Sequence, residues 1–267
     1  LNPLERLKEA SKWMWAQGDY AAVARLLEPG AITLADACSI APGVRVLDVA
    51  AGNGNFALAA VRRGAQVTAC DMTPLMVDLG RARTEAAGYE VEWLLGDAEQ
   101  LPFAGGGYDV VATVFGAMFA PQPDVVAGEL FRVCRRGGLV AMANYSRDGF
   151  LGSMSDLFAR YSTPLPFELP SPFEWGEPDV VRRRFAPYAG DVEVQPDMLT
   201  WTFRSVDEGL DFWERTNAPT IALKMTVPPE RYAEFRRDAR ELMDRLNTSA
   251  GDGLELKSSY LRVLARR

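Results

Sequence analysis

Between residues 44 and 146 the chain alternates short β-branched runs with amphipathic segments, and this rhythm narrows the possible folds more than any other feature. The stretches "VRVLDVA" (44–50), "AQVTACD" (65–71), "YEVEWLLGD" (89–97), "YDVVATVFG" (108–116) and "LVAMANYS" (139–146) read as strands. Residues 55–64, 73–88 and 123–138 read as helices between them. The second has Thr73 at its cap, Pro74 at its first position and Gly88 after its end, and the Gly137-Gly138 pair stops the third. Strands and helices in this order require right-handed crossovers. The expected fold is therefore α/β, a doubly wound and mostly parallel sheet covered on both faces.

Outside that region the pattern is less regular. Residues 4–16, 19–27 and 31–40 read as short helices, with Pro29-Gly30 separating the last two. Residues 149–162 read as a helix and 162–178 as a proline-rich aromatic loop. A helix is expected at 179–186, and one or two strands at 191–203 with a break at Pro196. Helices at 205–216 and 229–247 and an alternating final strand at 254–266 complete the reading. The organisation expected is one domain, 1–267: a helical lid at 1–40, a ligand-binding core at 41–146, a cap with late elements at 147–253, and a last strand at 254–267.

Composition excludes several chemistries. There is no histidine among the 267 residues, so Ser-His-Asp and Cys-His catalysis and histidine-ligated metals are ruled out. Cys38, Cys70 and Cys134 are isolated, which gives no zinc spacing and no expected metal site, and fits a reducing cytoplasm. The net charge of −7 argues against a nucleic-acid partner, and "VRRRF" (181–185) reads as a solvated helix face. The apolar runs are too short to span a bilayer, and the N-terminal stretch is charged rather than leader-like.

Ligands of doubly wound sheets bind beyond the carboxyl ends of the strands, and the polar residues of interest sit there. Gly52-Asn53-Gly54 exposes main chain where the helix after the first strand begins, which suits an anionic or polar ligand. A plain tight turn is the alternative. Asp71 closes the second strand, where a carboxylate can accept both hydroxyls of a ribose. Asp97 and Ala98, in "GDAEQLPF", can address an exocyclic amine and a ring edge. Met72 and Met76 are placed to hold ring faces, or simply to pack the core. Asp48 lies within the first strand, where a lone carboxylate is costly unless paired. It can hold the glycine turn's N–H groups or receive a ligand ammonium.

Taken together, residues 40–146 resemble the class I S-adenosylmethionine-dependent methyltransferases, in the branch similar to ubiquinone/menaquinone-biosynthesis methyltransferases. The resemblance implies S-adenosylmethionine as cofactor and S-adenosylhomocysteine as product. It implies Asp48, Ala50, Gly52 and Gly54 around the methionine portion, Asp71 on the ribose, and Met72 beside the adenine. Asp97 and Ala98 would lie at the adenine, and Val114 and Phe115 along the methionine side. "WMWAQGDYAAVARLL" (13–27) resembles the segment that folds over the cofactor in this branch, making Trp15 and Tyr20 lid residues; packing against the sheet is the other reading. Where relatives often carry histidines after the fourth strand, this chain has Met118 and Phe119.

The expected reaction is methyl transfer to a small hydrophobic or aromatic metabolite, without nucleic acid or membrane. Met118, Phe119, Tyr145, Phe150, Met154, Trp175 and Trp213 are expected to line the substrate pocket, though Trp175 could equally anchor its loop. No catalytic residue is identified by motif, and Tyr145 and Glu174 are the candidates for taking a proton. Two alternatives stay open. One is a non-methylating reaction on the same fold, such as cyclisation or decarboxylation. The other is a nicotinamide- or flavin-dependent oxidoreductase, since Gly52, Gly54 and Ala57 also fit a dinucleotide fingerprint.

Overall fold

The computed structural model describes residues 2–164 and 166–267; Leu165, in the proline-rich loop, lies outside the described residues. In chain order the helices are α1 (Pro3–Trp15), α2 (Tyr20–Ala37), α3 (Asn55–Val61), α4 (Pro74–Ala86), α5 (Pro123–Val133), α6 (Phe150–Tyr161), α7 (Pro178–Phe185), α8 (Val206–Thr216), α9 (Ala218–Thr226) and α10 (Pro229–Leu246). The strands are β1 (Arg45–Val49), β2 (Gln66–Asp71), β3 (Glu92–Leu95), β4 (Tyr108–Val114), β5 (Cys134–Gly149), β6 (Val192–Phe203) and β7 (Leu254–Arg266). They form one sheet in the order β3-β2-β1-β4-β5-β7-β6.

The pairs β1–β2, β1–β4, β2–β3 and β4–β5 are parallel, as the strand–helix alternation requires. β7 runs against β5. At one end the Gly137 N–H donates to the Arg267 carbonyl, and at the other Gly149 abuts Lys257. The result is a mostly parallel seven-stranded Rossmann-like sheet with flanking helices.

By contacts the chain divides into two compact units. The larger comprises Leu27–Asn144, Pro170–Asp197 and Tyr260–Arg267 and holds β1–β4 with α3–α5 and α7. Its core is apolar. Val46, Leu47 and Val49 of β1 are buried, and Phe131 of α5 packs edge-on to Phe185 and stacks on Tyr188. The smaller comprises Leu1–Leu26, Tyr145–Leu169 and Met198–Ser259. At its centre Phe150, Trp201 and Trp213 contact one another, and the Trp201 Nε1–H donates to the Leu26 carbonyl at 2.9 Å.

Four elements differ from expectation. Pro29-Gly30 does not separate two helices, and α2 runs through Pro29. An interior proline costs about 3 kcal/mol. Burial of the stripe Leu27, Ala31, Leu34 and Ala35 offsets that cost. α5 ends at Val133, before the glycine pair, because β5 already starts at Cys134. Pro196 does not interrupt β6, which is continuous and lies at the sheet edge, where proline is tolerated. α9 is an additional helix, capped by the Asn217 side chain, whose Oδ1 accepts from the Thr220 N–H. Among the described residues no helix is long and apolar enough to cross a membrane.

Candidate functional site

The larger unit brings the expected rim residues together at the carboxyl ends of β1, β2 and β4. Asp48 pairs in register with Ala69 of β2 and Ala112 of β4. Asp71, two residues past Ala69, therefore lies on the same sheet face as Asp48. Asp71 anchors the glycine turn itself and Asp48 the helix that follows it. Asp48 Oδ2 accepts from the Ala57 N–H in the first turn of α3 at 2.9 Å. Asp71 Oδ2 accepts from the Gly52 N–H at 2.9 Å, and its Oδ1 from the Thr73 N–H at 2.8 Å. Thr73 sits at the cap of α4, but its side chain accepts no helix N–H.

Burial governs the electrostatics. Asp48 is 1% exposed, and desolvation pushes its carboxyl up to about 8, against the opposing bond from Ala57 and with help from the Asp71 charge. Asp71 is raised for the same reason, while the Thr73 and Gly52 amides pull it back. A cation arriving beside either carboxyl would favour its charged form.

The backbone at this rim is strained where it meets the ligand edge. Gly52 and Gly54 take positive φ, as a glycine turn allows. Ala50 (φ 52°) and Phe115 (φ 55°) also do, without glycine's freedom. Such residues cost about 1–3 kcal/mol each and cluster at ligand sites. The two lie at the ends of neighbouring strands. A Cβ added at Gly116 would overlap the Ala50 carbonyl, so the turn after β4 rests directly on the turn after β1. The Phe115 N–H donates to the Ala143 carbonyl at 2.8 Å, and its ring meets Tyr260 edge-on.

Several supporting residues were not anticipated. Arg83 reaches from α4 to Asn53 Oδ1 (3.1 Å) and Asn55 Oδ1 (2.6 Å), which clamps the start of α3. Trp93 packs where side chains are missing: a Cβ at Gly54 would lie 2.8 Å from its ring, and one at Gly80 would overlap it. Its Nε1–H donates to Thr84 Oγ1 at 3.1 Å. Glu99 accepts from the Gln122 N–H (2.6 Å) and Nε2 (2.8 Å), tying the loop after β3 to the start of α5. Only the small residues at 54, 80 and 116 carried a signal in the sequence.

The remaining expected residues divide between the units. Asp97 is half-buried, with its Oδ1 accepting from the Glu99 N–H at 2.9 Å, and Ala98 is buried beside it. Met72 and Val114 are partly exposed, whereas Met76 is 2% exposed and packs in the core. Met118 is buried and Phe119 exposed on the short 3-10 turn Ala117–Phe119. Trp175 is buried under the Arg184 guanidinium, 4.7 Å from its ring centre, so it anchors its own loop. Trp15, Tyr20, Tyr145, Phe150, Met154 and Trp213 belong to the smaller unit.

The two candidates for taking a proton have different surroundings. Burial, then the nearby Tyr20, raises the Tyr145 phenol well above its ordinary value. Glu174 is held by Arg184 Nη2 at 2.6 Å.

A methyltransferase-domain family model matches residues 46–138, the segment that builds this rim. An uncharacterized protein of Mycobacterium tuberculosis is 39% identical over 265 residues, 98% of this chain and 96% of that protein. The ubiquinone/menaquinone biosynthesis C-methyltransferase UbiE of Cereibacter sphaeroides is 36% identical over 110 residues, 40% of this chain and 44% of that protein. The chain belongs to the class I S-adenosylmethionine-dependent methyltransferases. In fold, this methyltransferase is similar to the crystal structure of YcgJ from Bacillus subtilis, with a TM-score of 0.61 at 17% identity over 89% of this chain and 98% of that one. S-adenosylmethionine is accordingly its cofactor. The chemistry of the rim is compatible with that molecule: glycine backbone at positive φ, a carboxylate fixed by backbone amides, and a buried acid.

Proposed function

We propose that this methyltransferase methylates a small, hydrophobic or aromatic metabolite, and that the β1–β4 rim holds the cofactor through the residues named above. One observation carries the proposal most: the Gly52 backbone is fixed by Asp71 beside the strained, touching turns at Ala50 and Phe115.

Asp71 is fixed by the Gly52 N–H on one oxygen and the Thr73 N–H on the other. It takes the ribose hydroxyls. Asp48 takes the ammonium of the methionine portion and loses its proton as that charge arrives. Gly52, Gly54 and Ala50 line the methionine portion with main chain, and Val114 and Phe115 close its side. Asp97 and Ala98 meet the adenine edge and Met72 one ring face. Met76 supports that face from the core.

Bound S-adenosylmethionine supplies an already activated methyl group. What the chain contributes is orientation and exclusion of water, and orientation can be worth about 7–11 kcal/mol at best. Met118 and Phe119 present an apolar mouth to the acceptor after β4. With no histidine in the chain, the raised Tyr145 phenol and the paired Glu174 leave positioning as the main lever.

Calorimetry with S-adenosylhomocysteine tests the cofactor half. Mass spectrometry of small phenols and quinols incubated with enzyme and S-adenosylmethionine tests the other. A folded sample that binds neither cofactor form overturns the proposal. Binding without any methylated product among hydrophobic acceptors overturns the substrate assignment alone.

A further inference from the structure

One residue past its last pair with β4, at Ala143, β5 carries Asn144, which is 0% exposed and whose Oδ1 and Nδ2 both lack a hydrogen-bond partner among the described residues. Buried side-chain amides are ordinarily satisfied, because an unpaired one keeps its full desolvation penalty. Nothing in the cofactor rim uses Asn144.

Its position is informative. The register pairs Thr113 with Met142 and Val114 with Ala143, so Asn144 stands level with Phe115 and on the same face as Thr113 and Met142. Thr113 Oγ1 accepts from the Ala117 N–H at 3.1 Å, which folds the Ala117–Phe119 turn back across that face. The turn packs against the 3-10 turn Pro172–Gly176, where Trp175 also keeps a buried Nε1 without a hydrogen-bond partner among the described residues. Two unpaired polar groups thus border the turn that carries Met118 and Phe119.

The sheet order assigns the ligand edge. The cofactor residues occupy the ends of β3, β2, β1 and β4, and β5 is the next strand outward. A group on the β5 end is on the side where a methyl acceptor must lie.

We infer that Asn144 is the residue that hydrogen-bonds the methyl acceptor, and that it selects an uncharged hydroxyl-bearing molecule, a phenol or alcohol. This rests on the methyltransferase reading above. An amide offers one acceptor and two donors but no charge, and a hydroxyl both donates and accepts. The buried neighbours in sequence and register, Met142, Ala143 and Phe115, favour a neutral partner over an ion.

The test compares the wild type with Asn144→Leu and Asn144→Ser, using phenol and toluene as probes on protein saturated with S-adenosylhomocysteine. The wild type should bind phenol about tenfold more tightly than toluene. Asn144→Leu should lose that preference and Asn144→Ser keep part of it, while S-adenosylhomocysteine affinity stays within about twofold of wild type. Ligand-free Asn144→Leu should melt at or above the wild-type temperature, because no structural bond is removed. A clear fall in its melting temperature, or failure to fold, means that the amide serves the structure and overturns the inference. So does an equal response of the wild type to the two probes, or an undiminished phenol preference in both variants. Failure of the wild type to bind S-adenosylhomocysteine instead sinks the methyltransferase reading, and the melting comparison still judges Asn144.

Discussion

The Gly52 N–H donates to Asp71 Oδ2 across 2.9 Å, joining the turn after β1 to the end of β2. The same carboxylate holds the start of α4 through Thr73, so one side chain fixes two loops. Asp71→Ala removes both tethers. We expect S-adenosylhomocysteine affinity to fall about 100-fold, on the order of 3 kcal/mol, by calorimetry. An affinity unchanged from wild type would show that the ribose is held elsewhere.

Asp48 gives the stability a direction with pH. Its folded-state carboxyl lies at about 8, above the ordinary 3.8, so the folded protein holds a proton there that the unfolded chain releases. Between those values the unfolded state binds fewer protons, and stability falls as pH rises. The neutral group's contribution is fully present below about pH 4 and is lost on approaching pH 8. Asp48→Asn should flatten this dependence in denaturant titrations of ligand-free protein from pH 5 to 8. A slope identical to wild type would sink the assignment.

The same group ties ligand binding to proton release. An ammonium beside Asp48 favours its charged form, so binding near pH 7 should expel a proton. Calorimetry of S-adenosylhomocysteine in buffers of different ionisation enthalpy reads this directly. The release should vanish in Asp48→Asn, and a persistent release in that variant would point to another group.

Gly116 is the contact between the two strained turns. Gly116→Ala places a Cβ into the Ala50 carbonyl, where backbone rather than a flexible side chain must give way. Overpacking of this kind costs about 1–3 kcal/mol. We expect a lower melting temperature together with a loss of cofactor affinity larger than stability alone explains, since Ala50 moves. Full affinity in a destabilised variant would separate the turn from the site.

The three cysteines should be silent in the folded protein. Cys38, Cys70 and Cys134 are buried, and burial raises every thiol, to about 12 for Cys38 and about 11 for Cys134. A thiol reagent at pH 8 should modify none of them within minutes and all of them in guanidinium. Rapid modification of native protein would contradict the burial.

The sequence by itself determined the local elements and the chemistry of the rim. Strand and helix periods differ, so "VRVLDVA" and the segments after it declare their type within a few residues. Glycines and aspartates at strand ends show where backbone is bared. Local signals failed where burial outweighed them, as at Pro29 in α2, or where a short helix offered little periodicity, as in α9 despite Asn217 and Pro219.

Only the tertiary structure decided which distant residues meet. It placed β7 between β5 and β6, brought Arg83 to Asn53 and Asn55, seated Trp93 against Gly54 and Gly80, and left the Asn144 amide without a partner among the described residues. The physical reason is range. Periodicity, capping and glycine conformation act over a few neighbours, whereas partners across a sheet are selected by packing and hydrogen-bond satisfaction between segments far apart in the chain.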